Sequence, residues 1–272
     1  MSHAWTEKVI IITGASSGIG RALALTLASS SPKLVLVARD QQRLQSVADQ
    51  CEAQGAETLV IAADVADSEA CRVMVLQAVE RFSRIDVLIN NAGISMWGTF
   101  DDISDLQQFE RVLAVNFHGS VYCTRYALPY LRQSQGRVVA ISSLAGLTGL
   151  PMHTAYSASK HALNGFFESL RIELADSGVS VTIVAPDFVQ SEIHRRSIDA
   201  QGEPLGQQLP DHASFLSAER CALIIINAME KRERLVLTSL RGRLGRWVKL
   251  LCPQLIDWIS KTAVKKAYRR MQ

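Results

Sequence analysis

The sequence predicts a single α/β domain of Rossmann type, a doubly wound parallel sheet of about seven strands with helices on both faces. Short apolar runs alternate with longer helical patterns through the first 190 residues, the rhythm of parallel strands joined by crossover helices. The first run leads straight into the glycine-rich turn Thr13-Gly14-Ala15-Ser16-Ser17-Gly18-Ile19-Gly20 and then a helix, the arrangement with which such sheets build a phosphate site. With 48% hydrophobic and 20% charged residues over 272 positions, the composition suits a soluble globular protein with one large core.

The elements follow in order. Strands are expected at Val9–Thr13, 34–38, 58–62, Val87–Asn90, 137–142 and 179–184. Helices follow the first five, at 21–29 with a start near Gly18, then at 41–54, Ser68–Phe82, 106–131 and 156–176. Each helix is long enough to cross back over the sheet, and such crossovers are right-handed, which selects the doubly wound arrangement. A further helix at 218–231 precedes a seventh strand at 234–238. Between them, residues 189–216 break the rhythm. Gly202, Pro204, Gly206, Gln207, Gln208 and Pro210 crowd this segment, which reads as a substrate lid after a strand's carboxyl end. The catalytic domain is taken as 1–240 and a basic extension as 241–272.

Two local patterns carry chemistry. Glycines at 14, 18 and 20 allow a tight turn, close approach of a pyrophosphate, and packing of helix on strand, while the helix N-terminus offers N–H groups to phosphate. Tyr156 and Lys160 lie four residues apart in a helical segment, so both side chains share one face. A phenol with a pKa of about 10 needs a nearby cation to exchange protons at neutral pH, and Lys160 is placed to be that cation.

Together with these, Asn90-Asn91-Ala92-Gly93, Asn116 and Ser142-Ser143 resemble the short-chain dehydrogenase/reductase family, in its order and spacing, over about residues 7 to 195. The resemblance implies that Tyr156 is the acid/base that exchanges a proton with the substrate oxygen during hydride transfer. It implies that Lys160 lowers the tyrosine pKa and holds the nicotinamide ribose, and that Ser143 hydrogen-bonds the reacting oxygen. Asn116 would anchor a water linked to Lys160; read from the residue alone, it is a buried asparagine making a helix–helix hydrogen bond. Gly14, Ser16, Ser17, Gly18, Ile19, Gly20, Asn91, Ala92 and Gly93 would surround the cofactor, with Asp64 and Val65 at the adenine and Pro186, Val189 and Ser191 at the nicotinamide end.

Cofactor choice turns on the end of the second strand. Ala38 stands where NAD-selective members carry an acid, and Arg39 follows it, a guanidinium suited to the 2′-phosphate of NADP; NADP(H) is preferred to NAD. Asp187 replaces the usual glycine after Pro186, and its carboxylate is expected near the ring, where it would favour the oxidised cationic form. The substrate is expected to be a hydrophobic small molecule, because Ser95, Met96, Trp97, Leu144, Leu147, Leu150, Met152, Phe188 and Ile193 are mostly apolar. Homodimers or homotetramers are what the resemblance implies.

From Arg241 onward nine Lys or Arg face one acid, Asp257, a net of +8 that leaves the preceding residues at −5. Leu244, Trp247, Val248 and Leu251, then Leu255, Trp258 and Ile259, follow helical spacing among these charges. The tail suits either an anionic membrane surface, or a pocket lid or subunit contact with its basic residues left in solvent. Nucleic acid is not expected, since aromatic stacking surfaces are few. The five cysteines have neither metal-site nor disulfide spacing, so no metal is expected. A short polar start, Met1 to Lys8, and no apolar run of spanning length point to a cytoplasmic protein, free or held at a membrane surface. The reading is an NADP-dependent oxidoreductase interconverting a carbonyl and an alcohol; an NAD-dependent alcohol dehydrogenase and a non-catalytic NADP-binding sensor are the alternatives.

Overall fold

The computed structural model describes residues 3–193, 195–206 and 215–269. Seven strands, β1 Val9–Thr13, β2 Lys33–Ala38, β3 Glu57–Ala62, β4 Val87–Asn90, β5 Arg137–Ile141, β6 Ser180–Ala185 and β7 Leu235–Leu237, form one sheet in the order β3-β2-β1-β4-β5-β6-β7. Every pairing is parallel, so the sheet must be covered on both faces.

The pleat divides the core in two. Ile10 and Ile12 of β1 with Leu34 and Leu36 of β2 meet Leu23 and Leu27 of α1 (Gly18–Ala28), Leu44 of α2 (Gln41–Glu52) and Ile225 and Met229 of a helix over Ala218–Glu230. Val9 and Ile11, one residue out of phase, pack on the other face with Val35 and Leu88. There they meet Met74 and Val75 of α3 (Ser68–Phe82), Cys123 and Leu131 of a helix over Gly119–Ser134, and Leu163 and Phe167 of a helix over Thr154–Glu173.

The predicted helix 106–131 is three pieces. Helix α4 (Leu106–Leu113) runs into a π-helical turn, Ala114–His118, and then α5 (Gly119–Ser134). The widened turn carries Asn116, whose side chain is spent outside its own helix: Oδ1 accepts from Ile94 N at 2.8 Å, and Nδ2 donates to Ile94 O and Ser159 Oγ, both at 2.9 Å. The remaining helices are α6 (Thr154–Glu173), α7 (Ala218–Glu230), α8 (Leu240–Leu251) and α9 (Pro253–Arg269).

The chain leaves β1 towards β2 and β3 and returns to the other side of β1 with β4. That reversal opens a crevice at the carboxyl ends of β1 and β4, where doubly wound sheets bind ligands. The segment predicted as a lid is tied at its base by Gln190 N to Leu216 O (2.8 Å) and Leu216 N to Phe188 O (3.1 Å). Residues 195–206 lie against 95–98, with Trp97 N donating to Ile198 O at 2.8 Å and Ile198 N to Ser95 O at 3.1 Å. Residues 194 and 207–214 of the predicted lid, including Gln207, Gln208 and Pro210, lie outside the described residues.

Candidate active site

A single cavity of about 1850 Å³ runs from the glycine turn across the carboxyl edge of the sheet to α8 and α9. It exceeds the roughly 300–1,000 Å³ of a typical small-ligand site, leaving room for two ligands side by side.

The glycine turn is held open by the end of β4. Thr13 Oγ1 accepts from Asn91 N and Ala92 N at 2.9 and 3.0 Å, and Asn91 Nδ2 donates to Thr13 O at 2.8 Å. Gly14 has φ +67°, and a Cβ there would lie 2.9 Å from Ala92 Cα. The first turn of α1 carries no acid, and the side chain of Ser17, its N-cap, makes no capping bond, so the helix N-terminus presents open N–H donors. Gly14, Ser16, Ser17, Gly18 and Ile19 line the cavity, as do Asn91, Ala92 and Gly93. Gly20 does not: it is buried behind the turn, where a Cβ would sit 2.3 Å from Gly14 O, so its part is to let helix and turn touch. This cradle of backbone donors fits a dinucleotide pyrophosphate.

At one end of the cradle lie Ala38, Arg39, Asp40 and Arg43. Asp40 caps α2 through Arg43 N and pairs with the Arg43 side chain, which also reaches Glu192. Arg39 is exposed and has no ion-pair partner among the described residues. Asp64 and Val65 line the wall nearby; the Asp64 carboxylate already accepts from Arg111 at 2.6 Å and from Ala66 N at 3.0 Å.

At the other end the reactive groups converge. Ser143 follows β5, and its Oγ accepts from Ala145 N at 3.1 Å, which leaves its own hydrogen free to donate. One turn of α6 carries Tyr156 and Lys160 into the cavity, and Lys160 Nζ lies 5.7 Å from the Tyr156 ring centroid. Nζ donates to Ile141 O at 2.8 Å. Burial brings the lysine down to about 8. Burial also raises the Tyr156 phenol, against the hydrogen bond of Ser143, which lowers it. The lowering that acts on this phenol comes from Ser143 rather than from Lys160, and desolvation outweighs it, so the phenol is protonated at neutral pH. Gly93 makes the crowding possible: a Cβ would stand 3.2 Å from Asn116 Oδ1 and 3.6 Å from Lys160 Nζ. Asn116 itself lies behind the wall, where its side chain braces Ile94 and Ser159.

Pro186, Val189 and Ser191 line the cavity as expected positions after β6, but Asp187 acts differently from the expectation. Its Oδ1 meets Arg241 Nη2 at 2.5 Å, and its Oδ2 accepts from Arg241 Nε and from Ser239 Oγ at 3.1 and 2.7 Å. A carboxylate neutralised by a guanidinium exerts little field on a neighbouring ring; here it ties the loop after β6 to the start of α8.

Of the predicted substrate residues, Ser95, Trp97, Leu144, Phe188 and Ile193 line the cavity, as do Leu147 and Leu150. Met152 does not. It adopts φ +62° in the turn before α6, where its carbonyl accepts from Gly98 N at 2.9 Å, so it serves the backbone. Met96 is buried with Val112 and Ala155. Sequence reasoning missed His153, three residues before Tyr156, which stacks edge-on to Trp97 at 4.5 Å and hydrogen-bonds Pro151 O through Nδ1. Burial lowers its pKa, so the ring is neutral.

Helix α8 forms the roof through Gly242, Gly245, Arg246 and Lys249, and α9 continues it with Ile256, Ser260 and Ala263. A Cβ on Gly242 would stand 2.7 Å from Leu144 Cδ2, and Lys249 Nζ donates to Leu147 O at 2.5 Å. The tail thus closes over the pocket: α8 does so with Arg246 and Lys249 inward and its leucines outward, the reverse of the expected orientation, whereas α9 turns Ile256, Ile259, Ala263 and Val264 inward and leaves Lys261 exposed. The side chains of Lys265, Lys266, Arg269 and Arg270 lie outside the described residues.

A model of the short chain dehydrogenase family matches residues 8–202. The chain belongs to the short-chain dehydrogenase/reductase family. It is similar to 11-beta-hydroxysteroid dehydrogenase A of Sesamum indicum, 38% identical over 260 residues, covering 93% of this chain and 74% of that protein. It is 41% identical to 11-beta-hydroxysteroid dehydrogenase 1A of Arabidopsis thaliana over 258 residues, 92% of this chain and 74% of the relative. A short-chain dehydrogenase/reductase from Burkholderia phymatum, solved in complex with NAD, superposes with a TM-score of 0.82 at 27% identity, covering 94% of this chain and 96% of that one. As a member of this family the chain is an NAD(P)-dependent oxidoreductase acting between carbonyl and alcohol. No helix among the described residues is long and apolar enough to cross a membrane.

Proposed function

We propose that this dehydrogenase reduces a ketone on a hydrophobic small molecule with NADPH, using Tyr156 as the acid. The observation that carries the reading is the convergence of Tyr156, Ser143 and Lys160 at one end of a cavity whose other end holds the unpaired Arg39. Asp40, the carboxylate beside Arg39, is occupied as a helix cap and ion-pair partner, which leaves the guanidinium for a 2′-phosphate. The largely apolar lining, and relatives whose names are those of hydroxysteroid dehydrogenases, favour a rigid polycyclic or similarly bulky ketone.

Bound NADPH supplies the hydride. The protein handles the oxygen. Tyr156 donates its phenolic proton as negative charge develops on the carbonyl oxygen, and the Ser143 hydroxyl donates a second hydrogen bond to the same atom. Lys160, titrating near 8, would pass its proton to the phenolate, becoming neutral, and regain one from solvent before the next turnover. Helix α8 covers the apolar side of the pocket and limits water at the reacting carbon.

The test is cofactor oxidation over a panel of steroid and other bulky ketones with NADPH and NADH. A charge-assisted contact is worth about 1.5–3 kcal/mol, so Arg39→Ala lowers kcat/KM for NADPH by about 10- to 100-fold and leaves that for NADH nearly unchanged. Equal use of both cofactors by the unmodified enzyme overturns the NADPH assignment.

A further inference from the structure

The C-terminal helices carry an apolar face turned away from the protein. On α8 the cavity side is the stripe Gly242, Gly245, Arg246 and Lys249. At 3.6 residues per turn, Leu240, Leu244, Trp247 and Leu251 fall on the opposite stripe. These four side chains are 74, 66, 65 and 85% exposed. Helix α9 adds Leu255 and Trp258, which are 43 and 64% exposed and do not line the cavity. Other exposed large apolar residues, such as Val73, Phe100 and Ile172, are scattered over unrelated elements. Exposed apolar residues clustered on two consecutive helices mark an interaction surface.

We propose that this face docks on the surface of an anionic lipid bilayer, with α8 and α9 lying in the headgroup layer. Arg243 and Lys261 are exposed on the same two helices, and the chain from Arg241 onward carries +8 against −5 for the rest. That polarity draws the tail to an anionic surface and holds the acidic body away. Tryptophans suit the headgroup layer, where the ring is apolar and its N–H reaches water. A second copy is disfavoured by the same charges, because a twofold contact would set each basic tail against its own like. The reverse side of these helices roofs the cavity, so docking leaves one helix thickness, about 10 Å, between ligand and lipid.

The experiment is vesicle flotation of the full-length protein with neutral phosphatidylcholine and with phosphatidylcholine containing phosphatidylglycerol, at low and high salt. Binding to the anionic vesicles at least tenfold above the neutral ones, weakened by salt, is expected, as is a blue shift of tryptophan emission. The full-length variant Trp247→Ser/Leu251→Ser loses at least tenfold in vesicle binding while cofactor binding is kept. Should that variant fail to fold, Arg243→Glu/Lys261→Glu, which alters only exposed charge, must lose the anionic preference. Equal binding to both vesicle types, or unchanged binding by the variants, overturns the proposal. So does a wild-type dimer in solution that the Trp247→Ser/Leu251→Ser change dissociates, which would assign the face to a second copy.

Discussion

Replacing Lys160 by methionine separates the demands of chemistry from those of stability. Lys160 is 4% exposed, and among the described residues its ammonium has one hydrogen-bond partner, Ile141 O. Burial takes its pKa from 10.5 to about 8, and that displacement corresponds to about 3 kcal/mol of cost for holding the charge in the folded state. Methionine removes this cost but leaves the Ile141 carbonyl unpaired, a loss of about 1 kcal/mol. At pH 7 the variant should be more stable by about 2 kcal/mol, although it loses activity. Below 8 the lysine is charged in both folded and unfolded chains, and the full cost applies. Between 8 and 10.5 the folded lysine is neutral while the unfolded one still binds its proton, so wild-type stability rises and the advantage fades. Urea unfolding of both proteins at pH 7, 9 and 10.5 measures this directly, with equal slopes as the control. An advantage that is absent at pH 7, or that grows with pH, refutes the assignment of Lys160 as a buried charge held at a cost.

Gly20→Ala places a methyl 2.3 Å from Gly14 O, a backbone atom that cannot turn aside, so the glycine turn must shift. Isothermal titration should show at least a tenfold loss of NADPH affinity with the circular dichroism spectrum retained. Arg241→Ala strips Asp187 of its guanidinium partner and loosens α8 over the pocket. An ion pair with an exposed arginine contributes about 1 kcal/mol or less, so thermal stability should fall little while KM for the ketone rises several-fold.

The strands were legible because a strand buried on both faces must be apolar at nearly every position, as Val9 to Ile12 are. The glycine turn and the Tyr156–Lys160 pair were legible for a related reason: each demands a residue type at a fixed spacing. Three features were not. The π-helical turn at Asn116 leaves no trace in periodicity, because its cause is a hydrogen bond to Ile94, 22 residues earlier in the chain. The partner of Asp187 lies 54 residues away, and nothing local to Asp187 announces it. Periodicity gave the amphipathic character of α8 but not its orientation. The close approach of Gly242 to Leu144 turns the basic stripe inward, against the usual rule that apolar faces are buried.

In the proposed reaction Tyr156 gives the proton to the substrate oxygen. Tyr156→Phe keeps the ring and its distance from Lys160 and removes only the hydroxyl, so NADPH should bind as before. Under single-turnover conditions with any ketone the wild type reduces, the rate should fall by about 100- to 10,000-fold. A variant that binds NADPH and reduces the same ketone at the wild-type rate would contradict the account.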